Sequence, residues 1–124
     1  MTASPILVIG RTGQVAQAIA SLGHPGLILA GRPDADLADA ASLARTLERT
    51  SPALVINTGA FTSVDGAESE PVAAMAINAD GPASLAALCE SARIPLIHLS
   101  TDCIFDGKKA SAYTPDDVAG PLGV

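Results

Sequence analysis

Apolar residues in this chain fall into short unbroken runs, separated by stretches in which they recur every three or four positions. The runs occupy residues 5–9 (PILVI), 27–30 (LILA), 53–57 (ALVIN) and 95–100 (PLIHLS). The first run lacks the alternation of a half-exposed strand and predicts a strand buried on both faces, and the other three predict further short strands. Residues 14–22 predict a helix stopped by Gly23, and residues 36–50 contain a second helix with Leu43 and Leu47 on one face. The chain then reads as irregular from Asn57 through Glu70. A helical region follows over 71–78 and 82–92, broken at Gly81-Pro82 because proline restricts the residue before it. From Thr101 onward the sequence is turn-rich.

Strands alternating with helices imply parallel strands joined by right-handed crossovers. The fold class expected is α/β, a Rossmann-type doubly wound parallel sheet of about four strands in the order 3-2-1-4. Ligands are then expected at the carboxyl ends of the strands, near the switch between strands 1 and 4. The notable polar residues lie at those ends.

Composition narrows the class. The chain has 124 residues, 48% hydrophobic and 16% charged, which suits one compact domain and argues against disorder. A formal net charge of −6 repels phosphate backbones, so nucleic acid is not an expected partner. No apolar run is expected to reach the ~20 residues that span a bilayer, and residues 1–10 lack the basic start of a signal peptide. Cys89 and Cys103 have neither metal-ligand nor disulfide-framework spacing, and a reducing cytoplasm is the expected compartment. No metal site is expected.

The segment Val8-Ile9-Gly10-Arg11-Thr12-Gly13-Gln14-Val15-Ala16 sets a glycine turn between a buried strand and a helix. Gly10 permits the tight turn, Gly13 lets the backbone approach a pyrophosphate, and the helix amides then face its charge. Ala16 stands where a third glycine often keeps helix and sheet close. A site preferring NAD usually carries a carboxylate at the end of strand 2. This chain has Gly31-Arg32, which leans towards NADP(H) over NAD(H); the plainer reading is a solvated arginine before Pro33.

Four further segments carry a resemblance: Val55-Ile56-Asn57-Thr58-Gly59-Ala60-Phe61-Thr62, Val64-Asp65-Gly66-Ala67-Glu68, Ala76-Ile77-Asn78-Ala79, and His98-Leu99-Ser100-Thr101-Asp102-Cys103-Ile104-Phe105-Asp106-Gly107. With the glycine turn they resemble the dTDP-4-dehydrorhamnose reductases, extended short-chain dehydrogenase/reductases that reduce a 4-keto nucleotide-sugar with NADPH or NADH for polysaccharide synthesis. The resemblance implies that Gly10, Thr12, Gly13, Gln14 and Val15 wrap the pyrophosphate and that Asp36-Leu37 holds the adenine. It places Ala60, Phe61 and Thr62 along the cofactor and Ser100 under the nicotinamide. Thr101 would bind the sugar and tune a catalytic tyrosine, Asp102 would reach the substrate, and Asn78 would stand near the active site. Cys103 departs from the family's tyrosine, and Pro115 stands at a place commonly acidic.

Other residues have plainer roles. Asn57 reads as a turn former, Asp65 and Glu68 as carboxylates at a helix start, and His98 as a packed or partly exposed strand residue. In these reductases the general acid is the tyrosine of a Tyr-x-x-x-Lys pair, whose lysine shares its helix face. This chain has no such pair: Asp117 follows Tyr113 by four positions. The family's tyrosine follows a Pro-Leu-x-Val segment, which corresponds here to Pro121-Leu122-Gly123-Val124. Residues 1–124 are therefore expected to be an incomplete N-terminal NAD(P)-binding domain, without a substrate-binding domain and inactive alone, its exposed faces promoting aggregation or a homodimer. Two other readings stay open: a non-catalytic NADP-binding regulatory subunit, and a related nucleotide-sugar reductase or epimerase.

Overall fold

The computed structural model describes residues 3–124. Four strands, β1 (Ile6–Ile9), β2 (Leu27–Ala30), β3 (Leu54–Asn57) and β4 (Leu96–His98), form one parallel sheet in the order β2-β1-β3-β4. The doubly wound parallel sheet is as expected; the order 3-2-1-4 is not. No further strand lies between β2 and the helix after it, so the crossover from β2 returns over β1 and lays β3 on its free edge. The winding reverses at β1, and the crevice opens between the carboxyl ends of β1 and β3.

Helices α1 (Gln14–Ser21) and α2 (Ala40–Thr50) lie close to the expected positions. The Asp39 side chain caps α2 by accepting from the Ala41 amide, and Leu43 and Leu47 are buried. Where an irregular stretch was expected, Val64–Ser69 forms a short α3, capped by Ser63 Oγ accepting from the Gly66 amide. Asp65 sits in its first turn, but the cap expected of Asp65 and Glu68 is supplied by Ser63. Glu68 instead accepts from the Val124 amide at 3.0 Å.

The break expected at Gly81-Pro82 is also absent. Helices α4 (Pro71–Met75) and α5 (Gly81–Ala92) run into one another through a π turn over Ala76–Asp80. Proline is tolerated because it stands in the first turn of α5. Gly81 is a packing residue: a Cβ there would fall 2.5 Å from the Leu37 carbonyl oxygen. The joined helix Pro71–Ala92 has 22 residues and is long and apolar enough to cross a bilayer, contrary to the expectation of no such run. Here Leu85 and Cys89 pack with Leu7, Ile9, Leu43 and Val55 in the core, and burial pushes the Cys89 thiol pKa up.

Candidate functional site

The carboxyl ends of the strands are tied together beyond the ladder. The Gly10 amide donates to the Ala30 carbonyl at 2.8 Å, and both the amide and the hydroxyl of Thr58 donate to the Ile9 carbonyl at 2.9 Å. Gly10 takes φ +116°, and a Cβ on it would lie 2.4 Å from Thr58 Oγ1. No residue with a side chain fits there. The turn then enters α1 through Gly13, an N-cap without a side-chain hydrogen bond. The first amides of α1 therefore receive no acceptor from a capping side chain, and a Cβ on Gly13 would meet nothing within 4 Å. This is open space facing a helix N-terminus, and it suits an anionic group.

Beside the turn lies a cleft of about 150 Å³. Gly10 and Thr12 reach it from the turn after β1, Arg32, Asp36 and Leu37 from the loop after β2, and Ala60 from the loop after β3. Six of the residues singled out in the sequence thus meet in one place. Arg32 is exposed, and among the described residues no carboxylate pairs with it. Asp36 Oδ1 accepts from the Ala38 amide, while the Asp36 amide donates to Ser42 Oγ. Leu37 is buried under Gly81. A wider cleft of about 540 Å³ between α2 and α5 has Glu48 as its one charged lining residue and contains none of the candidate cofactor or substrate residues.

Gln14 and Val15 are exposed on the first turn of α1, beside the cleft rather than in its lining. Phe61 and Thr62 follow Ala60 on the loop after β3. Asn78, carried by the π turn, accepts from the Phe61 amide at 2.8 Å and donates to the Phe61 carbonyl at 3.0 Å. The asparagine thus clamps this loop by its backbone. Arg11, given no role by sequence pattern, has its guanidinium 3.4 Å from the Asp34 carboxylate, bridging the turn to the loop after β2. The paired signal, a basic residue inside the glycine turn and an acidic one after Arg32, was visible in the sequence.

Ser100, Thr101 and Asp102 are exposed at the carboxyl end of β4, outside the cleft. Thr101 Oγ1 accepts from the Cys103 amide at 3.2 Å and caps a short 3-10 turn over Asp102–Ile104. Tyr113 is engaged elsewhere: it stacks on Phe105, donates to Asp106 at 2.9 Å and accepts from the Lys109 amide at 3.1 Å. Lys109 pairs with Asp117 at 2.6 Å.

Fold and cleft together define a doubly wound α/β domain with a cleft at its topological switch point. The chain belongs to the RmlD substrate binding domain family, which matches residues 4–124. It is 39% identical over 121 residues to a dTDP-4-dehydrorhamnose reductase of Sinorhizobium fredii, covering 96% of this chain and 41% of that protein. Against a Mycobacterium tuberculosis protein of the same name, identity is 43% over 93 residues, covering 72% of this chain and 30% of that one. The crystal structure of a dTDP-4-dehydrorhamnose reductase from Clostridium acetobutylicum superposes with a TM-score of 0.90 at 30% identity, covering 96% of this chain and 44% of that one. The Bacillus anthracis reductase, solved in complex with NADP, shares the fold with a TM-score of 0.92 at 22% identity, over 98% of this chain and 45% of that one. The chain spans about two fifths of the length of the S. fredii relative.

Proposed function

We propose that this chain is the dinucleotide-binding portion of a dTDP-4-dehydrorhamnose reductase, which reduces the 4-keto group of a dTDP-sugar with NADPH. The observation that carries the reading is the convergence of three loops on one cleft beside an uncapped helix N-terminus. In this reading Gly10, Thr12, Gly13, Gln14 and Val15 hold the pyrophosphate, with α1 amides donating to its oxygens. Asp36 and Leu37 hold the adenine, and Ala60, Phe61 and Thr62 line the path to the nicotinamide above Ser100. Thr101 and Asp102 bind the sugar. When bound, the reduced nicotinamide supplies hydride to the keto carbon. The proton for the carbonyl oxygen comes from a tyrosine that these 124 residues do not contain, because they hold no Tyr-x-x-x-Lys. NADPH is preferred over NADH because Arg32, which no carboxylate pairs among the described residues, stands where a carboxylate would repel the 2′-phosphate.

The test is a chimera in which these residues replace the matching part of the S. fredii reductase. The expected result is NADPH consumption with dTDP-4-dehydrorhamnose. A chimera that folds and has the tyrosine and lysine, yet leaves NADPH unconsumed, would overturn the reading. In the same chimera Arg32→Ala raises the NADPH KM about tenfold and leaves that for NADH unchanged, the scale of one lost charge-assisted hydrogen bond. Equal changes for both cofactors would remove Arg32 from the specificity site.

A further inference from the structure

Asn57 ends β3 and is 1% exposed, so its side-chain amide needs partners for both its oxygen and its nitrogen. Its Oδ1 accepts from the Gly59 amide at 3.1 Å. Because a backbone N–H can only donate, this contact fixes which end of the amide faces the loop. The other end, Nδ2, lies 3.1 Å from Nδ1 of His98 on the neighbouring strand β4. An amide NH2 can only donate, so Nδ1 of His98 must accept and the ring proton must sit on Nε2.

We propose that Asn57 and His98 are a positioning pair for the loop that forms one wall of the dinucleotide cleft, with His98 as its neutral Nε2–H tautomer. His98 holds the orientation of the Asn57 amide, Asn57 holds the Gly59 amide, and Gly59 precedes Ala60, which lines the cleft. The far side of the same loop is held at Phe61 by Asn78, so Ala60 is fixed from both directions. Replacing the ring acceptor with a donor sets two donors against each other, and the buried amide then turns or parts from the ring. Turning would present Nδ2 to the Gly59 N–H and release it. The effect on cofactor rests on the proposed dinucleotide site; the pairing and its hold on Gly59 do not.

The experiment uses nitrogen-15 NMR of the 124-residue chain, with His24 removed by His24→Gln so that a single imidazole is observed. Long-range ring couplings are expected to show the Nε2–H tautomer of His98, with the Gly59 amide protected from exchange. In Asn57→Asp the carboxylate requires a donor, and the ring is expected to carry a proton on Nδ1. His98→Ala speeds Gly59 exchange about tenfold, the scale of one unmet buried hydrogen bond, and His98→Gln, which keeps an acceptor, restores it. An Nδ1–H tautomer in the chain with the native Asn57 overturns the pairing, and unchanged Gly59 exchange in His98→Ala overturns the positioning. NADPH titration of the same variants reads the consequence for the cofactor. Affinity falling about tenfold in His98→Ala and recovering in His98→Gln extends the pair's role to the bound state. If the native chain binds no NADPH, the dinucleotide reading fails while the ring and exchange data still decide the pair.

Discussion

At the scale of single residues, Gly10 bears the most constraint. Its φ of +116° and the 2.4 Å approach of Thr58 Oγ1 act at the same atom, so Gly10→Ala adds backbone strain to a clash within a hydrogen-bonded junction. The expected loss of stability is about 2 kcal/mol or more, read as a fall in Tm by circular dichroism; an unchanged Tm would show that the turn has another conformation open to it. Asn78→Ala removes two hydrogen bonds to Phe61 from an exposed side chain. About 1–3 kcal/mol of loop ordering is lost, so NADPH affinity should fall while Tm moves little; a large drop in Tm with unchanged affinity would make Asn78 a fold residue. Of the residues that meet at the cleft, Gly10, Thr12 and Arg32 were legible from local pattern, a glycine turn and a strand end, whereas Asp36, Leu37 and Ala60 were marked only by the family resemblance. The links from Asn57 to His98 and from Asn78 to Phe61 were not legible, because they join positions 41 and 17 residues apart.

Elements follow the same rule. The short apolar strands and the amphipathic α2 were readable because each declares itself within a dozen residues. The short α3 was missed because its six residues include Gly66 and show no periodicity, and its start depends on one serine cap. Gly81-Pro82 suggested a break, but the π turn absorbs the joint and brings Gly81 onto Leu37. Strand order was misjudged because it depends on how many strands precede the reversal, which local pattern does not encode.

The segment after β4 lacks a regular element beyond its 3-10 turn and is tied together by carboxylates. Asp106 is held below the usual carboxylate range chiefly by the Lys108 amide and then by the Tyr113 hydroxyl. Asp117 is lowered chiefly by the Lys109 side chain and then by the Thr114 amide. Since both values are depressed in the folded chain, their stabilisation is complete above the unfolded value of ~3.9 and is lost as pH falls through the folded ones. Tyr113 is the only tyrosine and there is no tryptophan, so tyrosine fluorescence reports this segment alone. It should stay constant from neutral pH down to about 4 and change below that; a transition centred near pH 6 would assign the ordering to other groups.

Across the whole molecule, the core gathers where Leu43 and Leu47 of α2 and Leu85 and Cys89 of α5 pack with the sheet, and the β4 edge is barer. On β4, Ile97 is 51% exposed, and Leu99 just after it is 39% exposed. We expect this edge to drive self-association of the isolated chain, with Ile97→Lys shifting light scattering towards monomer. Unchanged association would place the contact elsewhere.

Whether the cleft at the strand ends takes a dinucleotide is decided by calorimetric titration of the folded 124-residue chain with NADPH. One saturable site is expected, weakened by Arg32→Ala for NADPH but not for NADH, with no oxidation of NADPH when dTDP-4-dehydrorhamnose is added. A chain that is folded by circular dichroism yet shows no saturable heat with NADPH would contradict it.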